Sequence, residues 1–301
     1  MSAAPPIVAA DRRVAAVAVL GSAALFGTAG TARVLLQPAA PAPGAAAARL
    51  IVGAIGLVIW AARTPEGRAA LLRLWRRPVI WAMGVTVAAY QLFFFLSMSR
   101  TGVAVGTLAS LALTPFMAGL LGWALREGAP GFIWLASTIL AISGVVLLTV
   151  GAGEGRDVLG IVFGLLAGAS YAFYTVFGVR LAHQGEHPSH VLAASFAVSG
   201  LLLIPVFLMS GTWWMSWSAL ALILWLGLAT TTFAYLLFGV GLRSLQPGHI
   251  ATLNLAEPVF ATLLGVFVLG EALGGLGALG CVLVIIGLGV LGVAEGRRGT
   301  S

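Results

Sequence analysis

The chain has no lysine. All 16 of its basic residues are arginine, which removes the amine nucleophile, the Schiff-base former and the ammonium phosphate clamp from its chemistry. Its single cysteine, Cys281, lies in an apolar, glycine-rich run. An internal disulfide is thereby excluded, no zinc-ligand spacing exists, and Cys281 reads as a small packed hydrophobe. Charge of either sign is scarce, at 8% of residues, whereas 60% are hydrophobic and the mean hydropathy is +1.06. No soluble core could hold that much apolar surface and leave a wettable exterior. The chain therefore reads as an integral membrane protein. A net charge of +7 would suggest nucleic acid in a soluble domain, but these arginines sit in short connections between apolar runs, where they report topology. No nucleic-acid partner is expected; the bilayer is.

A membrane-crossing helix needs about 20 apolar residues to traverse a hydrocarbon core about 30 Å thick. Ten such runs are legible, near 14–36, 44–62, 79–99, 104–124, 131–150, 157–181, 189–209, 217–241, 247–269 and 274–293. Arg12-Arg13 ahead of the first run, with Ala39-Ala40-Pro41-Ala42 after it, imitates a secretory leader. The run is longer than the ~7–15 residues of a leader's apolar region, so it reads as a retained span. With residues 1–13 cytoplasmic, Arg12, Arg13, Arg63, Arg68, Arg73, Arg76, Arg77, Arg126, Arg180, Arg243, Arg297 and Arg298 fall inside, against Arg33, Arg49, Arg100 and Arg156 outside. That bias makes both termini, including a tail at 294–301, cytoplasmic. The stretch from Arg63 to Arg77 reads as a short amphipathic cytoplasmic segment.

The chain also says the same thing twice. Tyr90-Gln91-Leu92-Phe93 leads through Thr114-Pro115 to Gly122 and Glu127; Tyr235-Leu236-Leu237-Phe238 leads through Glu257-Pro258 to Gly265 and Glu271. Phe26, Thr28 and Arg33 align with Phe173, Thr175 and Arg180 at a constant offset. The repeats span 14–150 and 151–293, with five runs each. An odd number inverts the second copy, which puts a pseudo-twofold axis in the membrane plane and the natural ligand site between the halves. Small-residue spacings such as Gly160-Gly164-Gly168 and Gly270-Gly274-Gly277 let helices touch where lipid offers no hydrophobic drive.

These motifs resemble the drug/metabolite transporter superfamily in its EamA-type ten-helix branch. The likeness rests on Pro115-Phe116 to Gly122 and Arg126-Glu127, and on Glu257-Pro258-Val259-Phe260-Ala261 to Gly265 and Leu269-Gly270-Glu271. Within the branch the chain is similar to YddG-type exporters of aromatic and other amino acids. The resemblance implies an inner-membrane carrier, monomeric or weakly homo-oligomeric, that exports metabolites by alternating access without a cofactor.

Glu257 is the one acid placed deep in a span, and an intramembrane ionisable group is a functional-site hypothesis by default. It reads either as a proton or amine partner, or as a structural group bonded to a backbone oxygen that Pro258 leaves without its N–H. Asn254, one turn earlier, suits either role. Pro115 and Pro258 should kink their helices toward an interior cavity, and Thr114 stands where the second copy has Glu257. Tyr90, Gln91, Phe94, Tyr171, Tyr174 and Tyr235 fall on helices that the family places around that cavity. A tyrosine-lined space suits a zwitterion with an apolar side chain, although each ring could equally fill a gap between helices. His183, His187 and His190 read as a solvated loop and not a metal site, since Pro188 interrupts them and no acid pair completes a ligand set. Arg33, Arg49 and Arg100 read chiefly as snorkelling to headgroups on the outer side, with the alternative that one of them meets a carboxylate at the cavity mouth.

The leading expectation is a secondary transporter of small amphipathic metabolites, foremost amino acids. A proton-coupled multidrug exporter is the nearest alternative, though the first span lacks the acid found in its four-helix relatives. Phosphorylated substrates fit less well, because the interior is expected to lack a cationic clamp. An enzyme would need a second catalytic member beside Glu257. A purely structural partner would give no reason for proline in both copies.

Overall fold

Inside a bilayer every backbone polar group must find a partner within the protein, and this chain meets the demand with helices. The computed structural model describes residues 11–36, 40–101, 109–111, 114–126, 131–150, 157–270 and 274–298, among which there is no strand. The helices are α1 (Arg12–Leu36), α2 (Ala42–Ala61), α3 (Pro65–Leu74), α4 (Pro78–Thr101), α5 (Thr114–Ala124), α6 (Phe132–Val150), α7 (Val158–His183), α8 (Pro188–Leu208), α9 (Trp217–Ser244), α10 (Pro247–Leu253), α11 (Ala256–Leu269) and α12 (Gly275–Arg298). Six segments are long and apolar enough to cross a membrane: Arg12–Leu36, Pro43–Ala61, Val158–His183, Pro188–Leu208, Trp217–Ser244 and Pro247–Leu269. Shorter apolar stretches occupy Pro78–Phe94, Ala109–Ala124, Phe132–Gly144 and Gly275–Leu291. Glu127, Glu271, Arg156 and the two terminal tails up to Ala10 and from Gly299 lie outside the described residues.

Helix starts are written locally. Asp157 Oδ1 accepts from the N–H groups of Leu159 and Gly160 at 2.8 and 3.1 Å, Ser216 Oγ from Ala219 at 3.2 Å, and Thr64 Oγ1 from Gly67 at 3.1 Å. Each satisfies a donor that the first helical turn leaves unpaired. Proline opens α3, α8 and α10, where its missing N–H costs nothing. The amphipathic stretch after Arg63 is α3, which buries Ala70 and Leu74 and exposes Leu72.

Exposed apolar side chains cover the outside of the bundle, among them Val17, Ile59, Leu208, Phe267 and Ile285. A soluble monomer does not present such a surface. The interior is built from Leu57, Ile80, Met83, Phe196, Phe238, Leu242 and Ile250, all fully buried. Its principal packings are α6 on α12, α4 on α7, α2 on α8, and α1 on both α9 and α11. Each joins a helix before residue 151 to one after residue 157, so the core is the seam between the two halves of the chain.

Small residues set the closeness of that seam. At Gly144 of α6 an added Cβ would stand 2.6 Å from Gly280 O and 2.8 Å from Val284 N, both backbone atoms of α12 that cannot swing aside. At Gly289, on α12 itself, an added Cβ meets nothing within 4 Å. We expect Gly144→Ala to lower the thermal midpoint in detergent by several degrees, in line with the roughly 1–3 kcal/mol of an overpacked core, and Gly289→Ala to leave it unchanged. Equal midpoints for the two variants would show that the α6–α12 contact does not depend on backbone approach.

Candidate functional site

Pro258 cannot donate a hydrogen bond, so the helix containing it must find another use for the carbonyl of Asn254, four residues earlier. The chain breaks into α10 and α11 at Asn254 and Leu255, and Glu257 N–H takes Asn254 O at 3.0 Å. Leu255 N–H takes Thr252 O in the same tightened way at 3.0 Å. The freed carbonyl thus has one donor in the backbone N–H of Glu257, independent of the Glu257 carboxyl. Thr138 and Thr252 share a 2.8 Å hydroxyl bond that braces α6 against α10, just before the break.

Around the break the sequence gathers its tyrosines. Tyr171 and Tyr174 of α7 meet edge to face at 4.9 Å, Tyr90 of α4 lies 5.7 Å from Tyr171, and Phe94 stacks on Tyr90 at 5.7 Å. The hydroxyls of Tyr174 and Tyr235 are 3.2 Å apart. Asn254, the chain's single asparagine, donates through Nδ2 to the Tyr171 hydroxyl. Glu257 lies within electrostatic reach of Tyr90, Tyr171 and Tyr235. Tyr171, Tyr174, Tyr235, Asn254 and Gln91 are buried, whereas Tyr90, Phe94 and Glu257 are only partly buried. Two buried amide atoms, Gln91 Nε2 and Asn254 Oδ1, have no hydrogen-bond partner among the described residues.

Other expected residues are not brought there. Thr114 donates to Ser110 O at 2.7 Å, so its hydroxyl is spent on the carbonyl four residues earlier, with Gly168 O of α7 at 3.4 Å. Pro115 is buried in the first turn of α5; residues 112 and 113 before it lie outside the described residues.

The sequence reading missed several contributors. Phe26, Phe196 and Phe238 enclose Tyr235, at centroid distances of 5.1, 4.4 and 5.6 Å. Arg49, read chiefly as a headgroup anchor and alternatively as a carboxylate contact at the cavity mouth, points inward. Its Nε donates to Thr231 Oγ1 and its Nη2 to Thr230 O, each at 3.1 Å, and its guanidinium carbon lies 5.8 Å from the Phe26 ring centre. The interior is therefore not devoid of a cation. The available signals were an arginine inside the run 44–62 and the Thr230-Thr231-Thr232 cluster within an apolar helix. These threonines mark a π-helical stretch, Trp225–Phe233, a feature that concentrates at functional sites.

The model of the EamA-like transporter family matches residues 158–293. The uncharacterized transporter YwfM of Bacillus subtilis (strain 168) is 34% identical over 287 residues, 94% of this chain and 95% of the relative. The chain belongs to the EamA-like transporter family. The threonine/homoserine exporter RhtA of Escherichia coli (strain K12) is 30% identical over 241 residues, covering 79% of this chain and 77% of that protein. A solved crystal structure shares the fold, with a TM-score of 0.76 at 21% identity over 94% of this chain and 98% of the other. The protein is thus a multi-pass membrane transporter whose substrate is a small molecule.

This EamA-like transporter carries a second, chemically different cluster between α7 and α8. Buried Glu186 pairs with Arg73 at 2.6 Å and Arg77 at 3.4 Å, tying α3 to that loop. Beside it a cavity of about 330 Å³ is lined by Trp60, Arg63, Thr64, His187, Ser189 and His190. His187 does not lie in open solvent as a solvated loop would require. It caps α8, its Nδ1 facing Ser189 N at 3.3 Å and Ser189 Oγ at 2.8 Å. Burial, then the charges of Arg243 and His190, push it down to about 4.

Two measurements follow. Since the His187 value in the folded protein lies below the ordinary ~6.5, its stabilising contribution is complete above that pH and is lost as pH falls toward 4. The thermal midpoint should therefore fall less between pH 7.5 and pH 5 in His187→Asn than in wild type; parallel slopes would refute the assignment. At the aromatic cluster, Gln91→Leu removes an unpartnered buried donor and should keep or raise the midpoint. The same variant should cut transport at least tenfold if the amide serves substrate, and wild-type transport would make Gln91 a packing residue.

Proposed function

We propose that this transporter exports small amphipathic metabolites, foremost amino acids including aromatic ones, by alternating access across a bacterial inner membrane. The observation that carries the reading is the tyrosine cluster at the α10–α11 break, with Asn254 and Glu257 beside it, enclosed by helices from both halves. Aromatic faces accommodate an apolar side chain, while hydroxyl, amide and carboxyl groups address an ammonium and a carboxylate. The name of the relative RhtA, a threonine/homoserine exporter, supports the same substrate class. On this reading Tyr90, Gln91, Phe94, Tyr171, Tyr174, Tyr235, Asn254 and Glu257 contact substrate, and Pro115 and Pro258 mark the hinge positions.

Ten crossings in two inverted five-helix repeats, 14–150 and 151–293, with both termini cytoplasmic, complete the proposal. The pattern of packing supports it. Aligning Phe26 with Phe173, Tyr90 with Tyr235 and Pro115 with Pro258 pairs α1 with α7, α4 with α9 and α5 with the α10–α11 segment. Exchange of the halves then turns α4 on α7 into α9 on α1, and α5 on α7 into α11 on α1, and all four packings occur. The pairs α2–α8 and α6–α12 join equivalents, as helices astride a twofold axis do. Such a seam lets one half rock against the other around a central site.

Counterflow of labelled L-threonine, L-homoserine and L-phenylalanine in proteoliposomes tests the substrate class. Exchange of at least one is expected, with Glu257→Gln at least tenfold slower and its thermal midpoint preserved. Absence of exchange for every amino acid tried, with orientation and folding verified, would overturn the substrate assignment while leaving the fold untouched.

A further inference from the structure

Arg49 lies six residues past Pro43, about 9 Å along α2 at 1.5 Å per residue. A guanidinium at that depth needs compensation, because an unpaired charge in a medium of low polarity is costly. Its partners are polar but uncharged: Thr231 Oγ1 and Thr230 O. The π stretch of α9 supplies them. There Ala234 N–H reaches back to Ala229 O, one residue further than an α-helix would, while Thr230 O accepts from Arg49. The Thr231 hydroxyl proton goes to Leu226 O at 2.8 Å, which leaves its oxygen to accept from Nε. Close approach of α2 to this stretch depends on Gly53, where an added Cβ would stand 2.3 Å from Thr231 Cγ2.

These bonds use two of the five guanidinium donors. The three others, both on Nη1 and one on Nη2, have no partner among the described residues, and no carboxylate comes within 4.0 Å of Arg49 among them. Phe26, under the guanidinium, is in turn 5.1 Å from Tyr235, so the cation adjoins the tyrosine cluster. Arg49 also lies within electrostatic reach of Tyr90, Tyr235 and Glu257. Glu257 likewise has no cation within 4.0 Å among the described residues. A cation and a carboxyl group therefore border the same cluster without closing on each other.

We propose that Arg49 is the anchor for a substrate carboxylate, received on its open Nη1 and Nη2 donors, and that the Glu257 end of the cluster receives a substrate ammonium group. The substrate class is then a zwitterion with its charged groups on one carbon and its side chain against the tyrosines. This assignment rests on the amino-acid reading for the ammonium half; the carboxylate half stands on Arg49 alone. A purely structural Arg49 would only staple α2 to the π stretch. The two roles differ in what they do to ligands of different charge.

The test measures binding to the full-length protein in detergent by calorimetry, and exchange in proteoliposomes. The probes are L-threonine, L-phenylalanine, the amides of both, and 3-phenylpropanoate. Wild type should bind each amino acid at least tenfold more tightly than its amide, the loss of a charge-assisted fork. Arg49→Gln should bring the acid down to the level of the amide and leave the amide within twofold, and Arg49→Lys should recover part of the difference. Acid and amide binding equally well in wild type, or falling by the same factor in Arg49→Gln, would overturn the anchor and leave amino-acid transport standing. Exchange of 3-phenylpropanoate that depends on Arg49, without exchange of any amino acid, would keep the anchor and remove the amino-acid reading. No binding of any carboxylate would remove both. The wild-type comparison decides even if Arg49→Gln does not fold.

Discussion

Backbone hydrogen bonds have no substitute in hydrocarbon, and this constraint shapes the transporter wherever its helices depart from regular geometry. Two departures stand out among the described residues. In α9 the register widens to a π-helix, and the threonines at 230, 231 and 232 return their hydroxyls to Leu226 O and Gly227 O. Between α10 and α11 the register tightens, and Glu257 N–H replaces the donor that Pro258 lacks. Each local repair leaves a polar group turned to the interior: a carbonyl held by Arg49 in one case, an asparagine amide and a carboxyl in the other. Both irregular segments pack on α1. The polarity of these two segments is therefore a by-product of how two helices solve a backbone problem.

Small residues determine how near those segments come. Gly27 of α1 faces Glu257 O and Phe260, where an added Cβ would be only 3.0 and 2.9 Å away, just as Gly53 admits Thr231 to α2. Van der Waals contact at this range replaces the hydrophobic drive that lipid does not supply. It also places α1, α2, α9 and α11 around one aromatic cluster.

Charge is used sparingly, and besides the Arg100–Asp157 pair at 3.7 Å two places of different character stand out among the described residues. At the α7–α8 connection, buried Glu186 is answered by Arg73 and Arg77, and the pairs hold α3 to the bundle. At the tyrosine cluster Arg49 and Glu257 are left without ionic partners among the described residues. The first arrangement is self-contained. The second leaves an arginine and a carboxyl group without an ionic partner among the described residues, and taking a charge out of water without one is costly.

Much of this was legible in the residues. Hydropathy located the long apolar helices, since nothing but a helix satisfies such a run in lipid; their ends were not legible, because glycine and alanine are spread too evenly, and only the structure shows Asp157 and Ser216 as caps. The tyrosines, Gln91, Asn254 and Glu257 could be singled out as polar groups too costly to leave at membrane depth without purpose. Composition and the EamA-type motifs gave the class of protein. What the sequence could not decide was direction. Arg49 lies close enough to a helix end to reach either headgroups or the interior, and only the packing of Gly53 against a π stretch turns it inward. Thr114 and Glu257 each precede a proline, yet the Thr114 hydroxyl is consumed by a neighbouring carbonyl while the Glu257 side chain is only partly buried. Helical identity is a local property, set by the need to close each segment's own hydrogen bonds. Which face of a helix becomes a site is set by the neighbour it meets, and that neighbour comes from the other half of the chain.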